Sequence, residues 1–243
     1  MSTAPPAESS VADRAENGSP PAVANRVGRP TAAAESAGTP VNRSVSGPET
    51  GAVMNDTSGA GVPRPSGQGV TVWLTGLPSA GKTTVARAAA AWLRTTGRRV
   101  EVLDGDAVRT HLSAGLGFSR ADRDTNVTRI GYVADLLARN GVLVIAAVIS
   151  PYTAARAQVR ELHAASGTPY LEVYVATPVE VCAARDVKGL YAKQRTGEIA
   201  GLTGIDDAYE PPASPDLVLD TEGSTPAEAA EQVLRLLADR GLL

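Results

Sequence analysis

Cysteine is nearly missing from this chain. Cys182 is the only one in 243 residues, so an intrachain disulfide is excluded and a reducing compartment, the cytoplasm, is expected. Aromatics make up only 4% of the residues, with Phe118 the single phenylalanine. No apolar run approaches the ~18 residues of a membrane-spanning helix, which argues against a membrane partner. A surplus of either charge is also lacking. The net charge of −3 leaves no basic footprint for nucleic acid. The first 69 residues lack more still: they contain no Leu, Ile, Phe, Tyr, Trp or Lys, yet they hold more than half of the 17 prolines. Such a segment cannot bury enough apolar surface to offset its ordering entropy, so residues 1–69 are expected to be a disordered tail or linker. They have no continuous apolar stretch for a secretory signal, and their acids slightly outnumber their arginines, unlike an organelle transit peptide.

What is present begins near Val70. The run "VTVWLT" (70–75) is β-rich and stops at a glycine loop, and the Ala-rich spacing from Thr83 to about Thr96 predicts a helix that Gly97 ends. A second strand is expected at 99–104. Ser119 and Asp122 form a box-like start for a helix running to Gly141. The stretch 142–149 is continuously apolar, as in a strand covered on both faces. A helix near 153–166, strands at 170–176 and 216–221, and an amphipathic helix at 225–240 follow. Strands alternating with helices predict an α/β domain over 70–243 with a parallel sheet flanked by helices. Ligands on such sheets bind beyond the carboxyl ends of the strands. The region 183–215 fits no regular element. Its charges and tyrosines suit a lid.

Gly76, Gly81, Lys82 and Thr83 satisfy G-x-x-x-x-G-K-[ST] between a strand and a helix, the context a phosphate-binding loop needs. The backbone from Gly76 through Leu77, Pro78, Ser79 and Ala80 to Gly81 is expected to wrap phosphates, with N–H groups from its residues other than Pro78. Lys82, Thr83 and Thr84 open a helix whose positive end faces the same anion. In this motif the lysine reaches the outer phosphates and the Thr83 hydroxyl ligates Mg²⁺, so ATP and Mg²⁺ are expected. The apolar strand 142–149 ends without an acid. Carboxylates appear instead in "LDGD", as Asp104 and Asp106, either as a surface turn or where a metal and an attacking hydroxyl meet. On the helix 120–140, Arg123 and Asn126 fall on or near the apolar stripe of Val127, Ile130 and Ala134. Polar groups there are costly unless they are paired or line a cleft. With Arg109 they can cradle an anionic substrate, whereas Arg129 lies on the flank as an ordinary surface cation.

The ordered set "GLPSAGKTT", "LDGDAVR", "GLGFSRADRDTNVTRIG", "ISPY", "VCAARDVKGLYAKQRTGEIAGLTGIDDAYEPP" and "PDLVLDT" resembles the adenylyl-sulfate kinase family of P-loop kinases. That family phosphorylates the ribose 3′-hydroxyl of adenosine 5′-phosphosulfate (APS). The resemblance covers about residues 68–240. It implies Asp106 as the group that orients or deprotonates the hydroxyl, and Asp104 as a holder of Mg²⁺ through water. Arg109, Arg123 and Asn126 would bind phosphosulfate and ribose, and Phe118 would stack on adenine. Ile149 and Ser150 would line the pocket, with Ser150 a phosphate carrier in some members. Lys188 would act from the lid, Leu202 would stand where the family usually has an aromatic wall, and Arg185 would serve the ATP side. Ala107 and Thr153 also depart from the family's usual Asn and Arg, so an active enzyme with weakened hold on APS is expected. The resemblance further implies a homodimer and an association with the ATP sulfurylase that makes APS. Two alternatives stay open on the residues alone: a kinase of another small-molecule hydroxyl, or a non-catalytic nucleotide-binding regulator.

Overall fold

The computed structural model describes residues 67–243. The expectation for the N-terminal tail therefore lies, apart from its last three residues, outside the described part. Strand β1 (Val70–Thr75) is followed by α1 (Lys82–Thr95), β2 (Val100–Asp104), α2 (Gly105–Leu112), α3 (Arg120–Arg139) and β3 (Leu143–Ala147). Then come α4 (Thr153–Ser166), β4 (Tyr170–Val175), α5 (Val179–Arg185), α6 (Leu190–Arg195), β5 (Leu217–Leu219) and α7 (Pro226–Asp239). The five strands form one sheet in the order β2-β3-β1-β4-β5, and every pairing is parallel.

Two apolar layers cover this sheet. Val70, Val72 and Leu74 join Val85, Ala89, Leu93, Val233 and Leu237 of α1 and α7 on one face. Trp73 joins Val127, Ile130 and Ala134 of α3 and Ala155 and Val159 of α4 on the other. The alternation along β1 follows from the period of two in a strand. Because both faces are covered, every residue of β1 is buried, including Thr71 and Thr75, whose hydroxyls find partners inside the fold in His163 and Tyr209. Ser119 caps α3 by accepting from the Asp122 backbone N–H (3.2 Å). Thr225 and Glu228 close a reciprocal capping box at α7.

Two differences from the sequence reading concern the site. Helix α2 was not expected. Asp104 ends β2 and also N-caps α2, its Oδ1 accepting from Asp106 N–H at 3.1 Å. The Asp and Gly that suggested a turn serve here as a helix start, since Asp is also a favoured cap. The region 183–215 is not wholly irregular either. Helix α5 ends inside it, and the single short helix α6 lies within it. At six residues, α6 is too short for apolar periodicity to reveal.

Candidate active site

The loop between β1 and α1 curls over the carboxyl end of the central strand. Gly76 has φ 151° there, and a Cβ at that position would stand 2.5 Å from the Val175 carbonyl oxygen, so only glycine fits. Helix α1 starts without a side-chain cap. Its first N–H groups are thus left for an anion, aided by the helix dipole. Lys82 is buried and donates to the carbonyls of Gly76 (2.9 Å) and Leu77 (2.6 Å). Burial pushes its ammonium down to about 7, against the opposing pull of Asp106 and Asp104. Ala80 O accepts from Thr177 Oγ1 (2.9 Å) and Thr221 Oγ1 (3.0 Å). Arg185 donates in turn to the Thr221 hydroxyl (2.9 Å) and carbonyl (2.5 Å). Arg185 therefore stands beside the phosphate loop. Thr177 and Thr221 gave no signal of their own, because a threonine at a strand end has many ordinary uses.

Asp106 projects from the first turn of α2 and pairs with Lys188, both side chains being exposed. The "DGD" carboxylate and the lid lysine thus meet above the phosphate loop. Asp104 is mostly covered and has Arg87 at 3.8 Å.

Arg123 and Asn126 are buried on α3, 8% and 7% exposed, as their place on the apolar stripe requires. Arg123 donates to Phe118 O (2.9 Å), Thr203 Oγ1 (2.9 Å) and Gly201 O (2.7 Å), with Asp207 at 3.3 Å. Its guanidinium ties α3 to the lid. The Asn126 side-chain oxygen is buried with no hydrogen-bond partner, the kind of group that a ligand satisfies. Arg109 donates to Leu116 O (3.1 Å) and Gly117 O (2.8 Å) and lies 4.4 Å over the Phe118 ring. Phe118 is 66% exposed, with one face under a cation and the rest free for a flat partner. Arg129 is exposed and donates to Leu112 O at 2.8 Å, a surface cation as expected.

Two candidates are placed differently. Ser150 is 1% exposed, and its hydroxyl accepts from Trp73 Nε1 (3.0 Å) and donates to Thr75 Oγ1 (3.0 Å). The hydroxyl is engaged inside the fold and does not open onto the cleft, contrary to its place among the catalytic candidates. Leu202 is 6% exposed within the core cluster on the α1 face, so its side chain is covered where a wall for adenine was expected. Ile149, two residues past β3 and next to Ser150 in the chain, is half-buried, and its carbonyl accepts from Thr75 Oγ1 at 2.7 Å.

The lid rests on the phosphate loop at two points. Tyr191 of α6 donates to Pro78 O at 3.1 Å. Gly204, at φ 91°, lies where a Cβ would meet Leu77 Cδ2 at 2.5 Å. Three non-glycine residues among those described have positive φ: Ser79 in the phosphate loop, Ser150 after β3, and Asp186 at the lid root. Such strain gathers at functional sites; Ser79 lies in the phosphate loop itself, and Asp186 holds the start of α6 through the N–H groups of Tyr191 and Ala192.

A parallel sheet with a lysine-bearing phosphate loop on its central strand, a facing carboxylate and a lid defines a P-loop kinase. The family model for adenylylsulphate kinase matches residues 68–220. The chain is 54% identical over 172 residues to a probable adenylyl-sulfate kinase of Synechocystis, covering 71% of this chain and 95% of that one. An adenylyl-sulfate kinase of Myxococcus xanthus is 53% identical, with 72% and 94% covered. Among solved structures, the APS kinase CysC of Mycobacterium tuberculosis in complex with AMPPNP and APS is 46% identical, with a TM-score of 0.69 and 71% and 99% covered. This chain belongs to the adenylylsulphate kinase family.

Proposed function

We propose that the chain transfers the γ-phosphoryl group of ATP to the ribose 3′-hydroxyl of APS, giving ADP and 3′-phosphoadenosine 5′-phosphosulfate (PAPS). Residues 70–243 are the catalytic domain in this reading. The observation that carries it is the cleft itself: Lys82 of the phosphate loop, Asp106 with Lys188, and the buried edge of Arg123 and Asn126. The similar M. tuberculosis protein was solved with AMPPNP and APS together, which supports the same pair of ligands here.

The roles follow from position. Backbone N–H groups of the loop and of the first turn of α1 hold the phosphates, with Pro78 contributing none, and Lys82 leaves its two carbonyl partners for the outer phosphate oxygens. Asp106 accepts the proton of the attacking hydroxyl once the acceptor separates it from Lys188. Lys188, freed from Asp106, offsets the charge that gathers on the transferring group. The unpaired Asn126 oxygen accepts from a ribose hydroxyl, and Arg109 with Arg123 face the anionic phosphosulfate. Phe118 offers its exposed ring to adenine. Ser150, bonded to Trp73 and Thr75 inside the fold, takes no part in bond making.

The donors fit Mg²⁺. Thr83 lies in the first turn of α1 at the phosphate loop and Asp104 ends β2 as the cap of α2, a hydroxyl and a carboxylate of the oxygen type this ion takes. Thr83 would supply a hydroxyl and Asp104 a carboxylate behind water. The ion would neutralise phosphate charge.

No helix of the described residues is long and apolar enough to cross a membrane. A cytoplasmic place for this chemistry rests on the single cysteine, which suits a reducing compartment. Self-association fits the occurrence of a hexameric APS kinase in Thiobacillus denitrificans, 39% identical with a TM-score of 0.56, of which this chain covers 30%. The deciding experiment is ADP release from Mg-ATP with and without APS, with PAPS identified by mass spectrometry. APS-dependent release with PAPS formed is expected. Nucleotide binding without PAPS would reject the reading.

A further inference from the structure

Arg156 lies on α4, away from the phosphate loop, and no role in the transfer described above falls to it. It is 3% exposed, yet it is a cation with its whole fork engaged. Nε donates to Glu172 Oε1 at 2.9 Å, Nη1 to Ser150 O at 2.7 Å, and Nη2 to Glu210 O at 2.7 Å and to Thr153 Oγ1 at 3.2 Å. Its partners come from four places: β4, the turn after β3, the start of α4, and the point where the lid returns to the body. Glu172, 8% exposed, is backed by Arg160 at 3.3 Å, and Arg160 and Arg240 both meet Asp216, at 3.4 and 3.0 Å. The charge of Arg156 is therefore anchored to the sheet through a chain of ion pairs.

The lid's return point is held by three further contacts. Glu210 N–H donates to Pro151 O at 2.8 Å. The Tyr209 hydroxyl lies 2.9 Å from Thr75 Oγ1, and its ring stacks on Tyr174 at 5.9 Å. Thr75 is the last residue of β1 before the phosphate loop, and it also holds Ile149 O and the Ser150 hydroxyl. One small junction thus joins the phosphate loop strand, the acceptor-side turn at Ile149–Ser150, and the lid's second root.

We propose that Arg156 is a positioning residue for phosphoryl transfer: its fork fixes the lid's return at Tyr209–Glu210 to the turn at Ser150. The lid thereby meets the acceptor pocket in one register. A planar, five-donor guanidinium suits this task, because two backbone carbonyls and a carboxylate must be held at fixed angles; an ammonium has the charge without the geometry. A lid whose second root is loose still lets ATP bind to the phosphate loop, but it closes imperfectly over the acceptor and admits water.

This inference rests on the APS kinase reading, and the wild-type full chain serves as the separate test of that reading by forming PAPS. The variants are Arg156→Lys, Arg156→Met and Tyr209→Phe, each checked for folding by circular dichroism. KM for APS, KM for ATP, and the ratio of ADP released to PAPS formed are then measured. For both Arg156 variants we expect KM for APS to rise about tenfold or more. The ratio of ADP to PAPS should rise well above one, while KM for ATP changes less than about threefold. Tyr209→Phe should move the same two quantities by a smaller factor. A folded Arg156→Lys with unchanged KM for APS and a ratio of one would overturn the proposal, even if its melting temperature falls. Equal rises in KM for ATP and APS would overturn it too. If both Arg156 variants fail to fold, Tyr209→Phe decides: unchanged coupling and KM for APS reject the junction's role, and raised values sustain it.

Discussion

Lys82 shows how much one residue's surroundings govern its chemistry. Its ammonium is lowered by burial to about 7 with its donors turned onto the loop's own carbonyls. In the unfolded chain the same group has the ordinary value of 10.5. The unfolded state therefore binds more protons between about pH 7 and 10.5, and this group makes folding more favourable as pH rises through that window. Phosphates arriving at the loop restore the charge. Titration of the free enzyme with Mg-ATP at pH 8, by calorimetry in buffers of different ionisation enthalpy, should show an uptake of about one proton; an uptake near zero would mean that Lys82 is already charged. Asp106 makes a second test at this scale. Asp106→Asn keeps shape but loses the proton acceptor, so kcat should fall by about 10²–10⁴ while KM for APS changes little. A variant with near-normal kcat would remove Asp106 from the chemistry. Arg123 and Asn126 were legible as buried polar groups on the inward face because charge and amide on an apolar stripe demand an explanation. The burial of the Ser150 hydroxyl was not legible for the converse reason: its sequence neighbours do not reveal Trp73 and Thr75, which come from another strand.

At the scale of elements, α3 and the lid divide the work. The α3 start presents Arg123 one turn inside its cap, so cap and site are coupled. Ser119→Ala removes an N-cap and should cost about 1 kcal/mol of stability. It should also raise KM for APS through fraying of the Arg123 turn; thermal unfolding together with acceptor kinetics would show whether the two effects travel together. The lid rests on Leu77 because Gly204 has no side chain to hold it off. Gly204→Ala adds a methyl 2.5 Å from Leu77 Cδ2 at a φ of 91°, a conformation that costs about 1–3 kcal/mol outside glycine. The expected result is a raised lid: higher KM for APS and more ATP hydrolysed per PAPS formed, with little change in KM for ATP. Equal activity in the variant would show that the lid closes elsewhere. Helices α2 and α6 escaped the sequence reading because eight and six residues carry too few turns for periodicity to register, and the Asp104 cap looked like a turn residue.

For the whole molecule, the relatives mark what the chemistry needs. The Synechocystis protein aligns over 95% of its length to 71% of this chain, and the family model begins at residue 68. A chain of residues 67–243 is therefore expected to keep kcat and both KM values within about threefold, and a larger loss would give the first 66 residues a part in the reaction. Sequence alone determined the α/β order, the phosphate loop and the inward face of α3. Each is a local matter, written in residue types a few positions apart: glycines that curl a loop, apolar spacing that selects a helix or strand, a polar residue on the wrong face. Only the tertiary structure decided which groups meet. Asp106 and Lys188 stand 82 residues apart in sequence, and Arg123 and Thr203 stand 80 apart. The junction at Arg156 gathers β1, the turn after β3, β4 and the lid. These contacts depend on strand order and on the crossing of loops over the sheet edge, and no short stretch of the chain carries that information.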